Sequence, residues 1–228
     1  MNTNPNYQQK LFSIHEPLRK MIDLYDNDKL PSKFIISGAK GSGKATMGYH
    51  FINYVFSKDE EHPYDKNIYE IDTNNRSFKL VQNYSHPNLH IVDLLNDKKN
   101  IEISQIRQMI SYTNKSNFNS LPKIILIDNI ENLNINSTNA LLKVVEEPND
   151  NTFFILIHDN KKKILDTLKS RCINFKINIS FENSIEICNK LISSDCTKLI
   201  NSDLISYYNT PGDLLKLINF ADKNKINL

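Results

Sequence analysis

Cysteine is scarce in this chain of 228 residues, which has only Cys172, Cys188 and Cys196. The number is odd, and the spacings fit neither a disulfide framework nor paired CxxC metal knuckles, so reduced thiols and no zinc are expected. Excess charge is also missing. A formal net charge of +2 excludes nucleic-acid binding driven by bulk electrostatics and leaves only local patches for such a contact. No stretch approaches the roughly 18 consecutive apolar residues of a membrane span. The first thirty residues lack the charged start and apolar core of a secretory leader. A cytoplasmic protein without a membrane is the expectation. There is no internal repeat and no Pro/Gly-rich linker, and the polar runs at 74–76 and 114–119 read as solvated loops. At 39% hydrophobic and 24% charged, the chain can bury one sizeable core and a smaller satellite.

What is present is an alternation of strands and helices. Leu18, Met21, Ile22 and Tyr25 recur at helical spacing, and Leu30-Pro31 stops that helix before the apolar run Phe34-Ile35-Ile36. A glycine-rich loop follows, then a segment in which Met47, Phe51 and Val55 share one helical face. Leu89–Val92 is a short strand, and Ile103, Ile106 and Ile110 lie on one side of a helix that leaves Arg107 on the polar side. Ile124-Ile125-Leu126-Ile127 is apolar without alternation, as a strand buried on both faces of a parallel sheet must be. Ser137 is placed to cap a helix carrying Ala140, Leu141, Val144 and Val145, which Pro148 ends. Residues 153–157 give another apolar strand, and Ile173, Phe175 and Ile177 alternate as a half-exposed edge does. After about Ser180 only helical patterns remain. They are centred on Ile185, Cys188, Leu191 and Ile192, then on Leu204 and Tyr208, then on Leu214, Leu217 and Ile218 after Pro211-Gly212. The expected architecture is α/β, with a parallel five-stranded sheet over 1–179 and a small helical domain over 180–228.

The loop Gly38-Ala39-Lys40-Gly41-Ser42-Gly43-Lys44 fits GxxxxGK between a strand and a helix. In that pattern, backbone N–H groups close around a phosphate and the lysine neutralises the β and γ oxygens. The next position should offer a hydroxyl to Mg²⁺, but here it is Ala45. Thr46 comes one step later, rotated by about 100° around the helix. A vestigial, merely structural loop is the competing reading. Asp128, at the end of its strand, stands where a P-loop site places the aspartate that holds Mg²⁺. An acid capping the turn is the plainer alternative. Asn129 follows it where a carboxylate would have to orient the attacking water, and an amide cannot accept the proton. Glu131 lies two residues further on, and nothing in the spacing brings it to the same place.

Several motifs together resemble the delta-prime subunits of the bacterial DNA polymerase III clamp loader, members of the AAA+ family. They are Leu11-Phe12, the loop 38–46, Ser85-His86-Pro87-Asn88-Leu89, Ile106-Arg107, residues 139–148 (NALLKVVEEP), and Ser170-Arg171-Cys172. The resemblance covers about residues 10–215 and implies an AAA+ P-loop core followed by a helical lid. It also implies a trans-acting arginine finger, with Arg171 crossing an interface to stabilise charge in a neighbour's ATP site. ATP or ADP at 38–46 is implied, with Mg²⁺ held weakly or not at all and Asp128 reaching it by way of the nucleotide. The implied partners are other clamp-loader subunits, with the sliding clamp and primed DNA reached through the complex. Departures from the family pattern are as specific as the matches. No cysteine precedes Cys172, so the family's zinc module is not expected. Asp213 falls where active relatives carry a lid arginine and would repel a γ-phosphate. His158 and Asp159 read as a surface turn, Cys172 as a buried small apolar residue, and Lys161-Lys162-Lys163 as a solvated run at a helix start rather than a DNA reader. The family's helical collar has no counterpart before Leu228. Two readings compete with a catalytically weak subunit: an active motor subunit of the same machine, and a small P-loop kinase or nucleotide-binding regulator.

Overall fold

The computed structural model describes residues 3–95, 98–116 and 118–224. Part of the polar run at 114–119 and the last four residues of the 180–228 segment fall outside it. Five parallel strands form one sheet in the order β2-β3-β4-β1-β5, with β1 at Lys33–Gly38, β2 at Leu89–Val92, β3 at Lys123–Ile127, β4 at Thr152–Asp159 and β5 at Ile173–Lys176. Parallel pairing requires a crossover between strands. Here α2 (Lys44–Ser57), α3 (Arg76–Gln82), α4 (Ile103–Thr113), α5 (Ile135–Glu146) and the short α6 (Asp166–Lys169) supply the crossovers. Helix α1 (His15–Asp26) precedes β1, and α7 (Phe181–Ile192) and α8 (Pro211–Asn224) follow β5.

The apolar strands are buried on both faces because each one serves two cores. Phe34, Ile36, Ile124, Leu126, Ile155 and Ile157 pack with α1, α2 and α3. The alternate residues Ile35, Ile125, Ile127, Phe154 and Leu156 pack with Ile106 and Met109 of α4 and Leu141 and Val145 of α5. Side chains alternate across a strand, so a register slip of one residue would exchange the two sets. Beyond β5, Cys188 and Cys196 join Ile200, Leu214, Leu215 and Ile218 in a third cluster built without strands.

Local caps account for several element ends, and some differ from the expectations. Asn134, not Ser137, caps α5. Its side chain accepts from Ser137 N at 2.8 Å, while the Ser137 hydroxyl donates to Ile101 O. Helix α1 ends at Asp26, before Leu30-Pro31. The run at 74–76 is not simply solvated, because Asn75 is fully buried. It caps α3 by accepting from Phe78 N at 2.7 Å, accepts from Asn53 Nδ2 and donates to His62 O. Leu204 and Tyr208 do not form a helix. The segment holds two 3₁₀ turns, Cys196–Lys198 and Ser202–Leu204, and Tyr208 is 84% exposed. Strand β4 extends through His158 and Asp159, both largely buried, so neither lies in a surface turn. Lys161, Lys162 and Lys163 are exposed in the turn after β4, and the next helix begins only at Asp166.

Candidate functional site

The loop between β1 and α2 sits at the carboxyl end of β1, which lies between β4 and β5, and parallel α/β sheets bind ligands at such ends. Gly41 and Gly43 have φ of 80° and 82°, a left-handed conformation that suits glycine. Gly43 is the N-cap of α2 and offers no side chain, so the first N–H groups of the helix have no partner within the helix. Gly38 is required for a different reason, since a Cβ there would meet Ile177 O at 2.8 Å. Lys44 begins α2, is 7% exposed, and donates from Nζ to Ala39 O at 2.7 Å. Burial lowers its pKa, and the carboxylates of Asp159, Asp128 and Glu131 oppose that shift. Ser42 is buried, and its Oγ has no hydrogen-bond partner among the described residues.

These residues border a cavity of about 430 Å³. Leu11, Phe12 and Ile14 from the N-terminal segment and Ile187, Leu191 and Leu215 from α7 and α8 give it apolar walls, while Lys40 to Thr46 and Asp128 give it a polar side. The structure thus brings most of the loop, including Ala45 and Thr46, together with Asp128. Burial first, and then Asp93, push the Asp128 pKa up to about 7, against the hydrogen bond that its Oδ1 accepts from Asn129 N at 2.7 Å. Asn129 has φ of 55° and donates from Nδ2 to Asp93 Oδ1.

Two carboxylates reach this cavity against expectation. The left-handed turn at Asn129 opens a 3₁₀ turn over Ile130–Asn132 that carries Glu131 back toward β4. There its Oε2 accepts from Asp159 N at 3.1 Å, and both residues line the cavity. Linear spacing could not show a turn made by one αL residue. Asp213 is displaced in the opposite sense. It does not line the cavity, and its Oδ2 accepts from the Thr210 hydroxyl at 2.8 Å and from Thr210 N, completing a reciprocal cap at the start of α8. The α8 residues that border the cavity are Pro211 and, after it, Gly212, Leu215, Lys216 and Asn219. The last four lie at i, i+3, i+4 and i+7, a helical stripe readable from the sequence once Gly212 is taken as its origin.

The start of α8 also touches the loop directly. Gly212 N donates to Gly41 O at 3.1 Å, and the Thr210 hydroxyl shares its one proton between Asp213 Oδ2 and Lys40 O, the latter at 2.9 Å. The two backbones are so close that a Cβ on Gly212 would meet Gly41 Cα at 2.7 Å.

Arg171 lies elsewhere. Its Nε pairs with Glu146 Oε1 at 2.9 Å and Nη1 donates to Thr167 O, with the side chain 40% exposed. It is not among the residues bordering the cavity. Cys172 is half-buried, with a thiol pKa pushed up to about 11, chiefly by burial. Among the described residues no cluster of three or more His, Cys, Asp or Glu could hold a metal ion, and no helix is long and apolar enough to cross a membrane.

Sequence and fold comparisons agree with this arrangement. A family model described as "DNA polymerase III, delta subunit" matches residues 15–180. The DNA polymerase III subunit delta' of Bacillus subtilis is 25% identical over 200 residues, covering 88% of this chain and 57% of that protein. The delta' subunit of Buchnera aphidicola subsp. Baizongia pistaciae is 35% identical over 144 residues, covering 61% of this chain and 41% of its own length. The chain therefore spans about half the length of the curated relatives it matches. The RuvB Holliday junction branch migration motor of Thermotoga maritima superposes with a TM-score of 0.52 over 98% of this chain and 69% of its own, at 13% identity, a likeness of fold alone. With a match over residues 15–180, the chain belongs to the DNA polymerase III delta subunit family.

Proposed function

We propose that this chain is a delta-prime-like subunit of the clamp loader of DNA polymerase III. In this reading it helps load the sliding clamp onto primed DNA within a cytoplasmic hetero-oligomer, and it contributes Arg171 to a neighbour's ATP site while hydrolysing ATP poorly itself. Residues 1–179 act as the core domain and 180–228 as the lid.

One observation carries the trans reading. Strand β5 runs parallel to β1 with Ile173 opposite Phe34, so Arg171 precedes the sheet's amino end, whereas the loop begins at Gly38, the carboxyl end of β1. The four register steps from Phe34 to Gly38 alone span about 13 Å at roughly 3.3 Å per residue. Arg171 starts further back, so it serves a site outside its own cavity. Meanwhile Asn129, bonded to Asp93, cannot act as a base, and the Glu131 carboxylate is engaged with Asp159 N. The loop retains its phosphate-binding N–H groups and Lys44, which supports ATP or ADP as its ligand.

The test is ATP hydrolysis by the reconstituted loader with clamp and primed DNA. Arg171→Ala is expected to lower the stimulated rate by about 10³-fold, the lower end of what such arginines supply in phosphoryl transfer. Arg171→Lys should restore little, because a lysine lacks the planar fork. An unchanged rate refutes the finger, and robust hydrolysis by the isolated chain refutes the weak-subunit reading.

A further inference from the structure

The nucleotide reading of the loop leaves open which nucleotide it takes and whether magnesium comes with it. We infer that the cavity selects a magnesium-free nucleoside diphosphate over a magnesium-bound triphosphate. The inference rests on that reading and goes beyond it.

The magnesium ion that the fold implies does not fit the residues present. Mg²⁺ demands near-octahedral oxygen ligands and is usually held by one or two protein groups together with phosphate oxygens and water. Position 45 would supply the hydroxyl, and Ala45 borders the cavity with a methyl group. Thr46 also borders it, but about 100° further around the helix. Asp128 remains, with one oxygen already accepting from Asn129 N. No cluster of three or more carboxylate, His or Cys groups among the described residues makes good the loss.

Two phosphates still fit. The start of α2, with its free N–H groups, and Lys44, 7% exposed, border the same cavity. A third phosphate would extend past Lys44 toward Asp128, Glu131 and Asp159, three carboxylates that already act on that ammonium. The remaining cations bordering the cavity, Lys10, Lys40 and Lys216, are exposed and screened by solvent. Of the α8 residues that border the cavity, Leu215 is buried and the one cation, Lys216, is exposed. Without magnesium, nothing offsets the added charge of a triphosphate in that quarter.

Calorimetric titration of the full chain with ADP and with a non-hydrolysable ATP analogue, each in magnesium and in EDTA, tests this. ADP is expected to bind with an affinity that EDTA leaves within about twofold, and the triphosphate about tenfold or more weaker, a difference of about 1.4 kcal/mol. Ala45→Thr should make triphosphate binding magnesium-dependent. A wild-type chain that binds the magnesium triphosphate as tightly as ADP, or loses ADP in EDTA, overturns the inference while leaving the nucleotide reading intact. An Ala45→Thr chain that gains no magnesium dependence overturns the role given to position 45. A chain that binds neither nucleotide overturns both readings together.

Discussion

The contact between Gly41 and Gly212 can be taken apart with three alanine substitutions, because three glycines carry different combinations of strain and crowding. At Gly43, φ is 82° but the nearest atom to an added Cβ is Ile14 Cδ1 at 3.4 Å, an ordinary contact. Gly43→Ala therefore carries only the left-handed penalty, roughly 1–2 kcal/mol. At Gly212 the backbone is ordinary, but a Cβ would lie 2.7 Å from Gly41 Cα and 3.1 Å from Gly41 O, backbone atoms that cannot rotate away. Relief requires the start of α8 to withdraw, which breaks the bonds from Gly212 N to Gly41 O and from Thr210 to Lys40 O. Two hydrogen bonds at about 1 kcal/mol each set a cost of about 2 kcal/mol for Gly212→Ala. Gly41→Ala meets both problems, with φ of 80° and a Cβ 2.5 Å from Thr210 Oγ1, and should cost about 3–4 kcal/mol by the same sums. Once the lid has withdrawn for one substitution, the other finds its space open. The double variant should therefore fall short of additivity by about 2 kcal/mol. Denaturant midpoints give the four energies, and hydrogen exchange at residues 212–214 reports the withdrawal. Additivity within about 0.5 kcal/mol, or unchanged exchange in Gly212→Ala, would refute the direct seating of the lid on the loop.

Three further outcomes follow from buried polar groups and the sheet. His50 is fully buried against the Tyr64 hydroxyl at 3.0 Å, and burial lowers its pKa to about 3. The unfolded chain takes up that proton near pH 6.5, so stability should fall as pH drops from about 6.5 toward 3, by up to about 1.4 kcal/mol per unit. His86, lowered to about 4 by burial, steepens the same slope, and urea midpoints that stay level from pH 7 to 5 would contradict both. Asn75→Ala removes a helix cap and strands the Asn53 amide and Phe78 N, an expected loss of about 3 kcal/mol in chemical denaturation. Phe154→Ala empties a fully buried site between β4 and the α4–α5 layer and should cost about 3–5 kcal/mol, read from the same denaturation midpoint.

The parts of the fold legible in the sequence are those where a single physical demand acts. Ile124-Ile125-Leu126-Ile127 must be apolar on both faces, so its continuous run names a central strand. Met47, Phe51 and Val55 name α2 for the same kind of reason. Residues that answer to two demands were harder to read. His158 and Asp159 continue β4, and Asp159 reaches the cavity wall; polar groups at a strand end look like a turn. Asn75 belongs to a polar run, yet its side chain substitutes for missing backbone partners inside the protein. Leu204 and Tyr208 have helical spacing, but both are exposed, and without a buried face the spacing carried no information. The loop itself was plain in sequence. Glu131 was not, because a left-handed residue redirects the chain between Asp128 and the cavity.

The loop also answers to two demands, and this bears on why it can lose the magnesium hydroxyl and stay intact. Its inner side presents N–H groups and Lys44 to a ligand, and its outer side is the seat on which Gly212 and Thr210 rest. Ala45 in place of a hydroxyl touches neither function, since no described hydrogen bond depends on that side chain. A Cβ at Gly38, in contrast, would collide with Ile177 O, one residue beyond β5. Strand β5 begins two residues after Arg171, so the strand whose far end abuts the loop is also the strand that fixes where the arginine emerges. Parallel pairing of β5 with β1 therefore places Arg171 and the loop at opposite ends of the strands. In the proposed reading, a neighbour's site is served at one end while a nucleotide occupies the other, without either event requiring chemistry at the loop.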